Sequence, residues 1–178
     1  MTRIDAHQHF WDLSRFEYKW MYPHRLSKLH QNYLPERLAP VLTQNRFDGT
    51  VVVQADTVVE ETRWLLELAG RHDFIRAVVG WVDLTDPMLG SVLDELQRDK
   101  KFKGVRHPAH DEADDHWLLR DDVVQGLAEL ARRSLPFDLL LRPKHLALVP
   151  QLAERVPELR MVIDHIAKPP IAKRLLKG

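Results

Sequence analysis

Short apolar runs rich in β-branched residues punctuate the chain at regular intervals. They fall at Arg3–His7, Thr50–Gln54, Ala77–Val82, Phe102–Arg106, Phe137–Arg142 and Arg160–His165. Runs that are apolar almost throughout, rather than alternating, predict strands of a parallel sheet covered on both faces. Helical periodicity lies between them. Leu89, Val92, Leu93 and Leu96 share one face, and Asp86-Pro87 ahead of them reads as an N-cap followed by proline. Trp64, Leu65, Leu68 and Ala69 repeat the pattern between Glu61 and His72. So do Val123, Leu127, Leu130 and Ala131 between Asp122 and Ser134, and Val149, Leu152, Ala153 and Val156 before Pro157.

This order, strand then helix repeated, predicts an α/β fold with a parallel sheet. The stretch from residue 10 to 48 breaks the rhythm. It is rich in aromatic, His and Pro residues and too long for an ordinary βα loop, so it predicts an active-site lid or an insertion. A doubly wound sheet can stop at six strands, whereas a closed (β/α)8 barrel needs eight. On the barrel reading, residues 1–178 form a single domain cut short after about six βα units.

Composition narrows the function. The 178 residues are 44% hydrophobic and 29% charged, enough to build a core. Lys plus Arg and Asp plus Glu both number 26, so there is no basic excess to suggest nucleic-acid binding. No apolar run is long enough for a membrane span. The absence of cysteine removes disulfides, thiolate metal sites and cysteine nucleophiles, and points to the cytoplasm. The 10 histidines stand out, because imidazole is both a metal ligand and the side chain that titrates near neutral pH.

Three motifs sit at the carboxyl ends of predicted strands, the edge where such sheets bind ligands. In Asp5-Ala6-His7-Gln8-His9, alternation puts His7 and His9 on one side, where two imidazoles suit a divalent metal. The alternative is two polar residues where a strand enters a loop. Asp164-His165-Ile166-Ala167-Lys168-Pro169 places a His and a Lys where they could ligate, polarise or donate. It also reads as a solvated loop stopped by proline. Gly104-Val105-Arg106-His107-Pro108 offers an Arg able to clamp a carboxylate or a carbonyl oxygen, or simply to cap a strand. His107 and His110 read as solvated loop residues. Gln54, Trp81 and Asp83 complete the polar and amphipathic positions at strand ends. There is no G-x-G-x-x-G, P-loop or G-x-S-x-G, so dinucleotide, NTP and serine-hydrolase chemistry lack their signatures.

HQHFWD, VVVQAD, GWVDL, KGVRH and DHIAKP, in this order and spacing, resemble the amidohydrolase superfamily. They are closest to its branch of sugar-acid lactonases and pyrone-dicarboxylate or muconolactone hydrolases. The resemblance implies a (β/α)8 barrel and hydrolysis of a small-molecule lactone, for example L-fuconolactone or L-rhamnonolactone. His7 and His9 match the first-strand pair, His165 the sixth-strand His, and Arg106 the substrate-binding Arg. Lys168 and Pro169 match the residues that follow the sixth-strand His. The resemblance implies that the three histidines either hold one divalent ion, zinc or manganese, or donate directly to the oxyanion in a metal-independent site. Arg106, Gln54, Lys168 and Trp20 or Tyr18 would bind the substrate. The superfamily's fifth-strand His is missing, since that segment reads FDLLLRP, which argues against a binuclear metal site. The eighth-strand Asp that activates water has no counterpart in residues 1–178, so this stretch alone is expected to be inactive. Two other readings are a metal-dependent decarboxylase of the same superfamily and a non-catalytic truncated barrel.

Overall fold

A computed structural model describes residues 2–21 and 28–173. Residues 22–27 of the aromatic stretch and 174–178 at the end of the sequence lie outside the described residues. The chain divides into two compact units: residues 1–83 with 93–103, and residues 84–92 with 104–178.

The first unit holds β1 (Ile4–Gln8), α1 (Pro35–Gln44), β2 (Gly49–Val53), α2 (Val59–Arg71) and β3 (Ile75–Gly80). The strands pair in parallel, β1 with β2 and β2 with β3. A register shift between Asp5 and Gln8 marks a bulge in β1, beside the histidine motif. Val52, Ile75 and Val78 are fully buried and α2 packs on β3, which explains why these runs carry no polar alternation. Gly80 is required where α2 crosses the end of β3: a Cβ there would lie 2.3 Å from the Thr62 methyl. The Thr62 hydroxyl, free to approach, accepts the Trp81 N–H (2.8 Å) and donates to the Trp81 carbonyl (2.9 Å).

α3 (Leu89–Leu96) and β4 (Phe102–His107) contribute residues to both units. The second unit adds α4 (Asp121–Arg132), β5 (Phe137–Leu139), α5 (Leu148–Arg155) and β6 (Met161–Ile163), with β4–β5 and β5–β6 parallel. The Asp86 carboxylate accepts the Met88 N–H (2.7 Å), the capping role its sequence context predicts. β4 and β5 are buried almost throughout, but Val162 and Ile163 of β6 are exposed. Among the described residues β5 is the only strand paired with β6.

Among the described residues six strands alternate with five α-helices, the βα order expected of a (β/α)8 barrel. The prediction that residues 10–48 form a lid or insertion needs correction at one end, because α1 occupies residues 35–44. Its proline at the first turn and Pro40 within it look like breaks in sequence, yet Leu38, Val41 and Leu42 share a face. Before it, Trp11, Tyr18 and Met21 are buried in a small core of their own with Phe16, Leu29 and Tyr33. No described helix is long and apolar enough to cross a membrane.

Candidate active site

In the first unit the bulged end of β1 brings His7 and His9 together, Nε2 to Nε2 at 3.2 Å. His9 Nδ1 lies 2.8 Å from the Val53 carbonyl at the end of β2. A carbonyl only accepts, so Nδ1 carries the proton and Nε2 keeps its lone pair for the shared space. Two nitrogens each ~2.0–2.1 Å from a tetrahedral zinc would be roughly 3.3 Å apart. The observed separation therefore fits a pair of ligands on one ion. The backbone carbonyl behind His9 is the outer contact that fixes the tautomer and ring plane of a ligating histidine.

The end of β2 is buttressed from two sides. Gln54 is buried and its N–H donates to the Val79 carbonyl (2.8 Å). Trp20 reaches back from the aromatic stretch, its indole N–H donating to the Ala55 carbonyl (2.7 Å) and its ring edge-on to Trp11 (5.7 Å between centroids). Glu61, fully buried at the start of α2, accepts the N–H groups of Ala55 (2.9 Å) and Asp56 (2.8 Å). Burial pushes its carboxyl up to about 7 despite those two donors. Burial, with the charge of Glu61, also raises the Tyr18 phenol well above its ordinary range.

Glu61 sets a stability slope. The folded protein holds this proton at pH values where the unfolded chain, with an ordinary value of 4.5, has already released it. Stability contributed by the protonated form is therefore complete below about pH 4.5 and is lost as pH rises toward 7, at up to about 1.4 kcal/mol per pH unit. Glu61→Gln is expected to flatten that slope in urea unfolding measured from pH 4.5 to 8. An unchanged slope contradicts the assignment.

In the second unit, Arg106 at the end of β4 is buried and its Nη1 donates to Asp164 Oδ2 (3.2 Å), at the end of β6. Asp138 on β5 is raised to about 6, by burial first and then by the charge of Asp164, with Arg106 opposing. His107 is not a solvated loop residue. It is buried, stacked on Trp117 (4.0 Å, 12°), and its Nε2 lies 2.7 Å from Glu112. His110 likewise has little exposed side chain, and its Nδ1 is 3.3 Å from the Leu140 carbonyl. Both were misread because the aromatic and carbonyl partners come from outside the motif.

β6 ends in an unusual turn. His165, Ile166, Ala167 and Lys168 all have φ between 51° and 54°. Consecutive left-handed residues without glycine cost roughly 1–2 kcal/mol each. Such strain persists where the surroundings over-determine it, and it clusters at functional sites. Here Ala167 is buried and the Lys168 N–H donates to the His165 carbonyl (2.9 Å). The turn leaves His165 exposed and carries Lys168 Nζ to 3.1 Å from His110 Nε2.

The structure thus joins His7 to His9 and sets Gln54 and Trp20 at the neighbouring strand end. It joins Arg106 to Asp164 and Lys168 to His110, and it puts His165 on the left-handed turn. Sequence reasoning missed Glu61, Asp138, Glu112 and the partnership of Asp164 with Arg106. Glu61 alone carried a signal, an acidic residue in a helix's first turn, but one shared with many exposed positions.

An L-fucono-1,5-lactonase of Burkholderia ambifaria is 42% identical to this chain over 170 residues, which are 96% of the chain and 58% of that enzyme. An L-fucono-1,5-lactonase of Burkholderia multivorans is 36% identical over 96% of the chain and 57% of its own length. The crystal structure of an amidohydrolase from Burkholderia multivorans with bound zinc matches with a TM-score of 0.89 at 35% identity, covering 97% of this chain and 61% of that one. The chain therefore spans about three fifths of the length of these relatives. The family model described as amidohydrolase matches residues 4–177, end to end with the βα repeat and the strand-end motifs above, and the chain belongs to the amidohydrolase family.

Proposed function

We propose that the protein hydrolyses the ring ester of a sugar-acid lactone of the L-fucono-1,5-lactone type. The observation that carries this reading is the close His7–His9 pair, its His9 ring fixed by the Val53 carbonyl, in a chain 42% identical to a lactonase of that name. His7 and His9 would hold one divalent ion, zinc or manganese, and on the sequence resemblance His165 joins them. When bound, such an ion supplies Lewis acidity for the lactone carbonyl. The protein's own groups do the rest. The Val53 carbonyl holds the His9 ring in one tautomer. Trp20, its N–H spent on Ala55, offers a ring face to the sugar's apolar side, and Gln54 offers amide contacts to hydroxyl groups. Arg106, its plane fixed by Asp164, binds a substrate oxygen. Water adds to the carbonyl carbon, the ring C–O bond breaks, and the open hydroxy acid leaves. The water-activating carboxylate is the family's eighth-strand Asp. A chain without cysteine suits the cytoplasm, where we place the enzyme.

The test is a panel of five- and six-membered aldonolactones, with acyclic esters and amides as controls, followed by proton release with the intact protein. Faster opening of six-membered aldonolactones is expected. Hydrolysis of acyclic substrates alone, or of none, contradicts the reading.

A further inference from the structure

Lys168 presents an ammonium that lacks a close anion. Its Nζ sits 3.1 Å from His110 Nε2, and His110 Nδ1 faces the Leu140 carbonyl. His110 is thus set to be a neutral acceptor, and the positive charge stays on Lys168. Among the described residues, no carboxylate forms an ion pair with Nζ. The charges that act on Lys168 are Asp111, Arg142, Arg106 and Asp164. Arg106 and Asp164 are buried and pair with each other through Nη1 and Oδ2 (3.2 Å). Asp111 is the carboxylate with the largest influence on Lys168, and it also lies beside Arg142. Asp111 is exposed, 3.9 Å from Arg142 Nη2 and 3.3 Å from His110 Nε2. Partial desolvation, with Arg142 and Arg106 adding to it and Asp111 and Asp164 opposing, holds Lys168 below its ordinary range. Lys168 is the last residue of the left-handed turn.

We propose that Lys168, anchored by His110 and flanked by Arg142, forms a carboxylate-binding site, with Asp111 at its edge beside Arg142. The ligand class is an open-chain polyhydroxy acid, whose carboxylate pairs with Lys168 and Arg142. The identity of that acid as a ring-opening product rests on the lactonase reading, but the site itself does not. His110 is a positioning residue, because it acts through Lys168.

The experiment compares L-fuconate with L-fucitol, its uncharged counterpart, by calorimetric titration of the intact protein at fixed ionic strength near neutral pH. The acid is expected to bind at least about tenfold tighter, the effect of one charge-assisted contact. Lys168→Met should abolish that preference, Lys168→Arg keep it and His110→Phe weaken it. Asp111→Asn should increase it, because a negative charge that repels the acid is gone, a change that a merely structural role would not produce. If Lys168→Met does not fold, the wild-type preference and the Asp111→Asn increase decide. Equal affinities, no binding of either compound, a preference that survives Lys168→Met, or no increase in Asp111→Asn overturns the proposal. Failure to open any lactone while the preference persists overturns only the lactonase reading, and lactone opening without the preference overturns only this one.

Discussion

Arg106→Met is expected to cost ~3–5 kcal/mol of unfolding free energy, as breaking one side of a buried ion pair does. Arg106 and Asp164 are both about 5% exposed at the side chain, so removing the guanidinium leaves a carboxylate in a dry site. Asp138 makes this worse. It already feels the charge of Asp164, which Arg106 opposes, and without Arg106 the repulsion between the two acids grows. The loss should be smaller near pH 5, where Asp138, with a value of about 6, is protonated and stops repelling Asp164. Adding Asp164→Leu to Arg106→Met should restore most of the stability, since an apolar pair removes the stranded charge. Urea unfolding at two pH values reads all of this. A cost below about 1 kcal/mol, typical of exposed pairs, contradicts the burial and the pairing.

His9→Ala is expected to weaken zinc binding by more than about 100-fold, the upper range for losing even an outer contact of a ligating histidine. The substitution removes one lone pair from the His7–His9 pair and leaves the Val53 carbonyl without its donor. The proton-release rate on a six-membered aldonolactone should fall with metal occupancy and recover in part at high zinc. Competition with a chromophoric chelator gives the affinity. Equal affinity in wild type and variant contradicts the assignment of this pair.

Much of this architecture was legible beforehand, for identifiable reasons. The runs at 50–54, 77–82 and 102–106 are apolar because both faces of their strands are covered, and they fall on β2, β3 and β4. The His7–His9 pairing followed from alternation, even though β1 bulges between Asp5 and Gln8. α1 escaped because Pro35 and Pro40 look like breakers, and only the folded geometry shows one at the first turn. The left-handed turn at 165–168 was invisible in principle. His, Ile, Ala and Lys carry no preference for positive φ, and the packing that imposes it is tertiary. The same holds for Arg106 and Asp164, 58 residues apart, and for Glu61, whose burial depends on backbone groups of the preceding turn. Local pattern specified the strand ends. It did not specify which charges meet there.

The central claim is that His7 and His9 form the reaction centre of a lactone-opening enzyme. Its most direct test is the opening of L-fucono-1,5-lactone by the intact protein, wild type beside the His7→Ala/His9→Ala double variant, with zinc supplied to both. The expected result is a wild-type rate proportional to protein concentration and a double variant no faster than buffer. Equal rates in the two proteins, or no opening above buffer by the wild type, would contradict it.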